Sequence, residues 1–141
     1  MYLGSPGIGK TYFCAALIEW VYGKVNSFRY WNERDFLSRL RAVISGEKGD
    51  YLKEMDYILD DQFIMFDDIG SSGVNEWRQE VLFEMIDRRY RSELPTVITS
   101  NLTKSEIYEK LGTRSASRMF AKENLIIELH NGQDVRQNEK I

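Results

Sequence analysis

Residues 1–18 read MYLGSPGIGKTYFCAALI, a glycine-rich loop running straight into an apolar, helix-like segment. Within it, Gly4-Ser5-Pro6-Gly7-Ile8-Gly9-Lys10-Thr11 satisfies G-x-x-x-x-G-K-[ST] at every position. In such a loop the glycines let backbone wrap closely around phosphate, while consecutive amides and the N-terminus of the following helix donate to it. Lys10 would reach the terminal phosphates and Thr11 would offer its hydroxyl to magnesium. A glycine turn that merely precedes a helix has no need of lysine and threonine at those two places. The residues from Gly4 to Tyr12 are therefore the expected nucleotide-binding set, with ATP and Mg2+ as ligands.

Beyond the loop, Phe13, Ala16, Leu17, Trp20 and Val21 recur at helical spacing, and Gly23 fits the stop. SFRYW, residues 27–31, has strand composition; Phe36, Leu37, Leu40 and Ile44 then mark a helix ending near Gly46. A further amphipathic segment, Tyr51 to Leu59, leads into QFIMFDDIG, whose apolar run Phe63 to Phe66 reads as a buried strand. Ser71, Ser72 and Gly73 predict the start of the longest helix, with Val74, Trp77, Val81, Leu82, Met85, Ile86 and Tyr90 along one stripe. TVITSN after Pro95 predicts another strand, SEIYEKL and RSASRMF two helices, and NLIIEL the last strand. Strands alternating with helices predict a three-layer α/β domain with a mostly parallel sheet.

Two aspartates end the QFIMF strand. ATP hydrolysis needs an acid to anchor the metal beside the phosphates and a group to orient the attacking water. Asp67 would hold magnesium through water, so Thr11 and Asp67 form the candidate metal pair, and Asp68 would polarise the nucleophile. At the end of TVITSN, Asn101 is the candidate for touching the terminal phosphate or the lytic water, provided its strand lies between the loop strand and the acid strand. Thr99 and Ser100 are the alternatives there, and an asparagine that merely caps the next segment is the bland reading of Asn101.

The bulk numbers bound the rest. A chain of 141 residues with 43% hydrophobic content is the size of one domain with one core. Its formal charge of −3 advertises no nucleic-acid or anionic-membrane binder, so any basic surface must be local. The single cysteine forms no internal disulfide, and no stretch has the length and apolarity of a membrane span or the layout of a signal peptide. A cytoplasmic location is the expectation. Cys14 is expected to pack on the loop helix, His130 has no metal-ligand companions, and Trp20, Trp31 and Trp77 read as core or rim.

With GSPGIGKT, FIMFDDIG, PTVITSN and RSASRM in this order, the sequence resembles the DnaC/IstB-like group of AAA+ ATPases, and within it the bacterial and phage helicase loaders. The likeness runs from about Leu3 to Arg136. Its specific part is IGSSGVNEWRQEVLFEMIDRRYRSELPTVITSNL, which resembles the loader pattern of acid pair, Ile-Gly, long helix ending in Asp-Arg-Arg, and Pro-Thr before the sensor strand. The resemblance implies a P-loop NTPase sheet in the order 5-1-4-3-2, no C-terminal lid domain, and ATP-dependent self-association. It also implies engagement of a replicative DNA helicase and of single-stranded DNA in DNA replication. Residues 1–136 would be the ATPase domain and 137–141 a polar tail. Beyond Leu129 the chain is polar and expected to fray. Loaders bind their helicase through an N-terminal segment, whereas only Met1, Tyr2 and Leu3 precede this loop. The expectation is a shortened N-terminus with a stump of the first strand.

In RSASRM, Arg118 falls where the resemblance implies an arginine finger, and Arg114 matches a second arginine one turn earlier. Both would act in trans, neutralising charge on the transferring phosphoryl group of a neighbouring copy. The bland alternative is two solvated arginines. For DNA contact, Arg78, Arg88, Arg89 and Arg91 give the long helix a basic end, and Arg34, Arg39 and Arg41 with Phe36 give a basic-aromatic mixture. Glu76, Glu80, Glu84 and Asp87 on the same long helix fit an ordinary solvated face equally well. Three rivals to the helicase loader remain: the transposition helpers of the same group, a scaffold that binds nucleotide or DNA without turnover, and a P-loop kinase.

Overall fold

In the computed structural model, which describes residues 1–46 and 49–129, β1 (Tyr2–Gly4) feeds the phosphate loop and α1 (Lys10–Val21). The chain continues through β2 (Phe28–Asn32), α2 (Glu33–Ile44), α3 (Tyr51–Leu59), β3 (Phe63–Asp67) and α4 (Glu76–Arg91). It ends in β4 (Thr96–Ser100), α5 (Lys104–Leu111), α6 (Thr113–Met119) and β5 (Ile127–Leu129). All five strands pair in parallel in the order β2-β3-β4-β1-β5, the α/β arrangement expected from the alternation of strands and helices. The first strand is short but central. Tyr2 pairs with Thr99 of β4 and with Ile127 of β5, and the Met1 carbonyl accepts from the Ile127 N–H at 2.8 Å.

Right-handed crossovers put α1 on one face of this sheet and α2 to α6 on the other. The main core lies on the five-helix face, where Phe36, Leu40, Met55, Ile58 and Leu82 pack against Ile64 and Phe66 with almost no exposure. Phe36 meets the Phe66 ring edge-on at 5.3 Å between centroids. Among the described residues α1 contributes nothing to that cluster, although Cys14 and Val21 are buried beneath it.

Local signals set most helix starts. Asn32 caps α2 by accepting from the Asp35 N–H at 2.9 Å, Asp50 caps α3, and Thr103 with Glu106 forms a capping box on α5. The longest helix differs from the expectation. It begins at Glu76, because Asn75 is the residue that caps it, accepting from the Arg78 N–H at 2.9 Å. Residues 71–74 form a loop, and Val74 is exposed instead of joining the apolar stripe. Just before that loop Gly70 has φ 94°, and a Cβ there would run into the buried Leu102 side chain, so both conformation and space demand glycine. The last strand is shorter than NLIIEL, since Asn124 sits in a turn where its Nδ2 donates to the Arg118 carbonyl at 2.7 Å. His130 and the polar tail, including residues 137–141, lie outside the described residues.

Candidate active site

Because β4 lies between β3 and β1, the loops that follow these three strands open at one end of the sheet, the position at which open α/β sheets bind ligands. A cavity of about 780 Å³ forms there, lined by Gly7, Gly9, Lys10, Thr11 and Tyr12 from the phosphate loop, by Asp67 and Asp68, and by Asn101. The geometric condition placed on Asn101 is met. Gly7 and Gly9 take φ of 81° and 92°, the left-handed values that turn the loop into the N-terminus of α1. Lys10 is held inside that turn, its Nζ donating to the carbonyls of Gly4 at 2.6 Å and Ser5 at 2.7 Å. Pro6 also lines the cavity, whereas Ile8 does not.

Asp67 is buried at the end of β3, and both carboxylate oxygens accept from side chains. Tyr30 donates its hydroxyl to Oδ2 at 2.7 Å, while the Thr99 hydroxyl and the Cys14 thiol, the latter at 3.7 Å, donate to Oδ1. Burial, with Asp67 adding to it, pushes the Cys14 thiol up to about 12, so it stays a protonated donor. The chemistry suits magnesium: Thr11 and Asp67 bring hard oxygen atoms to one cavity, and magnesium takes few protein ligands when phosphates and water supply the rest. No group of three or more His, Cys, Asp or Glu among the described residues forms an all-protein metal cage.

Asp68 sits at φ 58°, a left-handed conformation that a short polar side chain tolerates. Its N–H donates to Thr99 Oγ1 at 2.9 Å, and its Oδ1 accepts from Asn101 Nδ2. Burial, and then the charge of Asp67, raise its carboxyl above the ordinary 3.8. Thr99 thus ties the two acids together from β4, a position assigned second rank behind Asn101 on sequence. Ser100 serves the backbone, donating to the Ile69 carbonyl at 2.5 Å.

Two residues near the acids were missed in the sequence. Tyr30 has no motif to announce it. Glu33, fully buried at the start of α2, accepts from the Gly70 and Ser72 N–H groups and from Arg78 Nε at 2.7 Å and Nη2 at 3.0 Å. It thereby holds the loop that leaves Asp68. Burial alone would raise the Glu33 carboxyl, but the Arg78 and Gly70 hydrogen bonds outweigh it and hold the group below its ordinary 4.5.

Packing corrects the placement of Arg78 and Arg89 on the surface of α4, whether as a DNA contact or as part of a solvated face, while Arg91 stays exposed. Arg78 and Arg89 are buried, Arg89 donating to the carbonyls of Leu59 at 2.7 Å and Pro95 at 2.6 Å, and burial pushes its guanidinium down to about 10. Arg88 bridges Asp56 and Asp60, each at 2.7 Å. Phe36 is core, Arg39 pairs with Glu54, and Arg41 lies over Trp77. Arg34 lines the phosphate cavity. Neither Arg114 nor Arg118 does. Both lie on α6 against α4, and Arg118 borders a larger cavity of about 850 Å³, lined also by Met1, Leu17, Ile98 and Leu125, that includes no phosphate-loop residue.

The family model described as IstB-like ATP binding protein matches residues 1–121. The chain belongs to the IstB-like ATP-binding family. It is 24% identical over 120 residues to the replicative helicase loader DnaC of Buchnera aphidicola subsp. Acyrthosiphon pisum, covering 84% of this chain and 49% of the relative. It is 27% identical over 105 residues to the replicative helicase loader DnaI of Bacillus subtilis, covering 74% of this chain and 33% of the relative. The chain spans about half the length of the DnaC relatives it matches. Its fold is shared with a crystal structure of the DnaC helicase loader, at TM-score 0.79 and 23% identity over 92% of this chain and 76% of that one. A replication initiator DnaA bound to AMPPCP and single-stranded DNA gives TM-score 0.75 and 18% identity over 94% and 41% of the two chains. No helix among the described residues is long and apolar enough to cross a membrane.

Proposed function

We propose that this chain is the ATP-binding and ATP-hydrolysing module of a DnaC-like helicase loader acting in DNA replication. The observation that carries the reading is the meeting of a complete phosphate loop, the Asp67–Asp68 pair and Asn101 on one cavity. The loop amides and the α1 N-terminus bind the phosphates, and Lys10 leaves the Gly4 and Ser5 carbonyls to reach the terminal ones. Thr11, and Asp67 through water, would hold magnesium, whose charge would offset that of the phosphates. Asp68, with its raised carboxyl, accepts a hydrogen bond from the attacking water while Asn101 keeps that carboxylate aimed into the cavity. Arg118, with Arg114 beside it, serves the cavity of a second copy, because neither reaches its own. A replicative helicase and single-stranded DNA are the partners this reading carries, with Arg34, Arg39 and Arg41 the exposed cations on α2.

The second reading is a transposition helper, favoured by the IstB-like description of the matching family. It uses the same ATP chemistry on a different partner. ATP hydrolysis by the 141-residue chain, with and without single-stranded DNA, tests the shared core. The native chain is expected to turn over, and Arg118→Ala to bind nucleotide normally while losing about a thousandfold in rate. Undiminished turnover by Arg118→Ala would remove the trans arginine, and binding without turnover by the native chain would leave a scaffold.

A further inference from the structure

The Asp-Arg-Arg run at the end of α4 divides into separate jobs. Arg88 and Arg89 are consumed within the fold, bridging α3 and gathering carbonyls. Asp87 alone turns toward α6. Its Oδ1 accepts from Arg118 Nε at 3.0 Å, its Oδ2 faces Arg91 Nε at 3.6 Å, and the Arg118 guanidinium lies 5.4 Å from the Tyr90 ring centre. Tyr90 is itself fixed by a hydrogen bond from its hydroxyl to Glu123. The pair is asymmetric in exposure: the Asp87 side chain is 17% exposed and that of Arg118 41%. Among the described residues no hydrogen bond engages Nη1 or Nη2 of Arg118. The anchor is sunk and the fork is presented.

We propose that Asp87 is the positioning residue of a trans-acting Arg118. It grips Nε from one side, Tyr90 supports the guanidinium plane, and the two Nη groups are left to meet the terminal phosphate held by a second copy of this chain. An arginine fork recognises phosphate through paired N–H groups only when its plane is correctly turned, which is what a fixed carboxylate at Nε provides. Arg114 lacks such a grip, standing 3.8 Å from the exposed Glu80 and lying over Phe83. This inference rests on the trans-arginine reading above.

Mixing variants of the chain separates the two claims. Lys10→Ala keeps Arg118 but loses its nucleotide, and Arg118→Ala keeps its nucleotide but loses the arginine. A mixture is expected to recover turnover that neither shows alone. With Lys10→Ala/Asp87→Asn as the arginine donor, recovery should drop about tenfold, the scale of a mis-aimed catalytic group. With Asp87→Asn placed instead on the nucleotide-binding Arg118→Ala partner, recovery should be unchanged, an asymmetry that a merely structural role would not produce. Full recovery from the Asp87→Asn donor, or equal loss in both placements, overturns the positioning role while leaving the trans arginine standing. Failure of the first mixture overturns the trans arginine and the role of Asp87 with it.

Discussion

Asp68 combines two unfavourable features, a left-handed backbone at φ 58° and a carboxyl raised by burial and by Asp67. Residues so placed are kept for chemistry more than for folding. Asparagine is the substitution that tolerates the same backbone and removes the charge, so Asp68→Asn is expected to unfold at a higher temperature than the native chain at pH 7 while turning over ATP at least a hundredfold more slowly. The sign of the pH effect follows from the raised carboxyl. Folding disfavours its ionised form, and this penalty grows as pH rises through the unfolded value near 3.8 and is complete above the folded value. The gain in the variant should therefore vanish below pH 3.8, and thermal melts across pH check it. The convergence of Lys10, Thr11, Asp67, Asp68 and Asn101 on one cavity was legible in the sequence, because each owes its place to a motif or a strand end. Tyr30 was not, and Thr99 stood only as an alternative to Asn101, since the contacts of both with the acids arise from sheet register. Tyr30 pairs with Met65 and Asn32 with Asp67, which stands Tyr30 diagonally from the acid on the same face.

Between elements, Glu33 and Arg78 tie the first residue of α2 to the first turns of α4 and to the loop leaving β3. Both side chains are fully buried, so removing one leaves an uncompensated charge. Arg78→Met is expected to destabilise the chain by about 3–5 kcal/mol in urea unfolding. Glu33 is held below its ordinary 4.5, so its contribution is whole above that pH and lost as pH falls through the lower folded value. The native chain should lose stability in that acid window, and the double variant Glu33→Gln/Arg78→Met should lose less there. Most elements were legible from apolar periodicity, which reports burial directly. The start of α4 was not. Ser71, Ser72 and Gly73 look like a helix start, yet Glu33 takes the Gly70 and Ser72 amides from outside the local sequence, and the cap passes to Asn75. Arg78 and Arg89 were misread for the same reason, since a sequence displays charge but not the buried acceptors that receive it.

For the whole molecule, the sheet divides the labour. Five helices build the core on one face, while among the described residues α1 is the helix on the other, with Tyr12 and Trp20 exposed. The candidate site joins these parts, because one cavity is lined by the loop after β1, the start of α1, the ends of β2 and β3, the first turn of α2 and Asn101 just after β4. A nucleotide bound there adds stability by mass action, about 2.7 kcal/mol at one hundred times its Kd. The most direct measurement is a calorimetric titration of a non-hydrolysable ATP analogue, with magnesium, into the native chain and into Lys10→Ala. One site per chain is expected in the native protein, with affinity at least tenfold weaker, about 1.4 kcal/mol, in Lys10→Ala at an unchanged nucleotide-free melting temperature. A folded native chain that takes up no nucleotide, or a Lys10→Ala chain that binds it equally well, would contradict the assignment of this cavity to ATP.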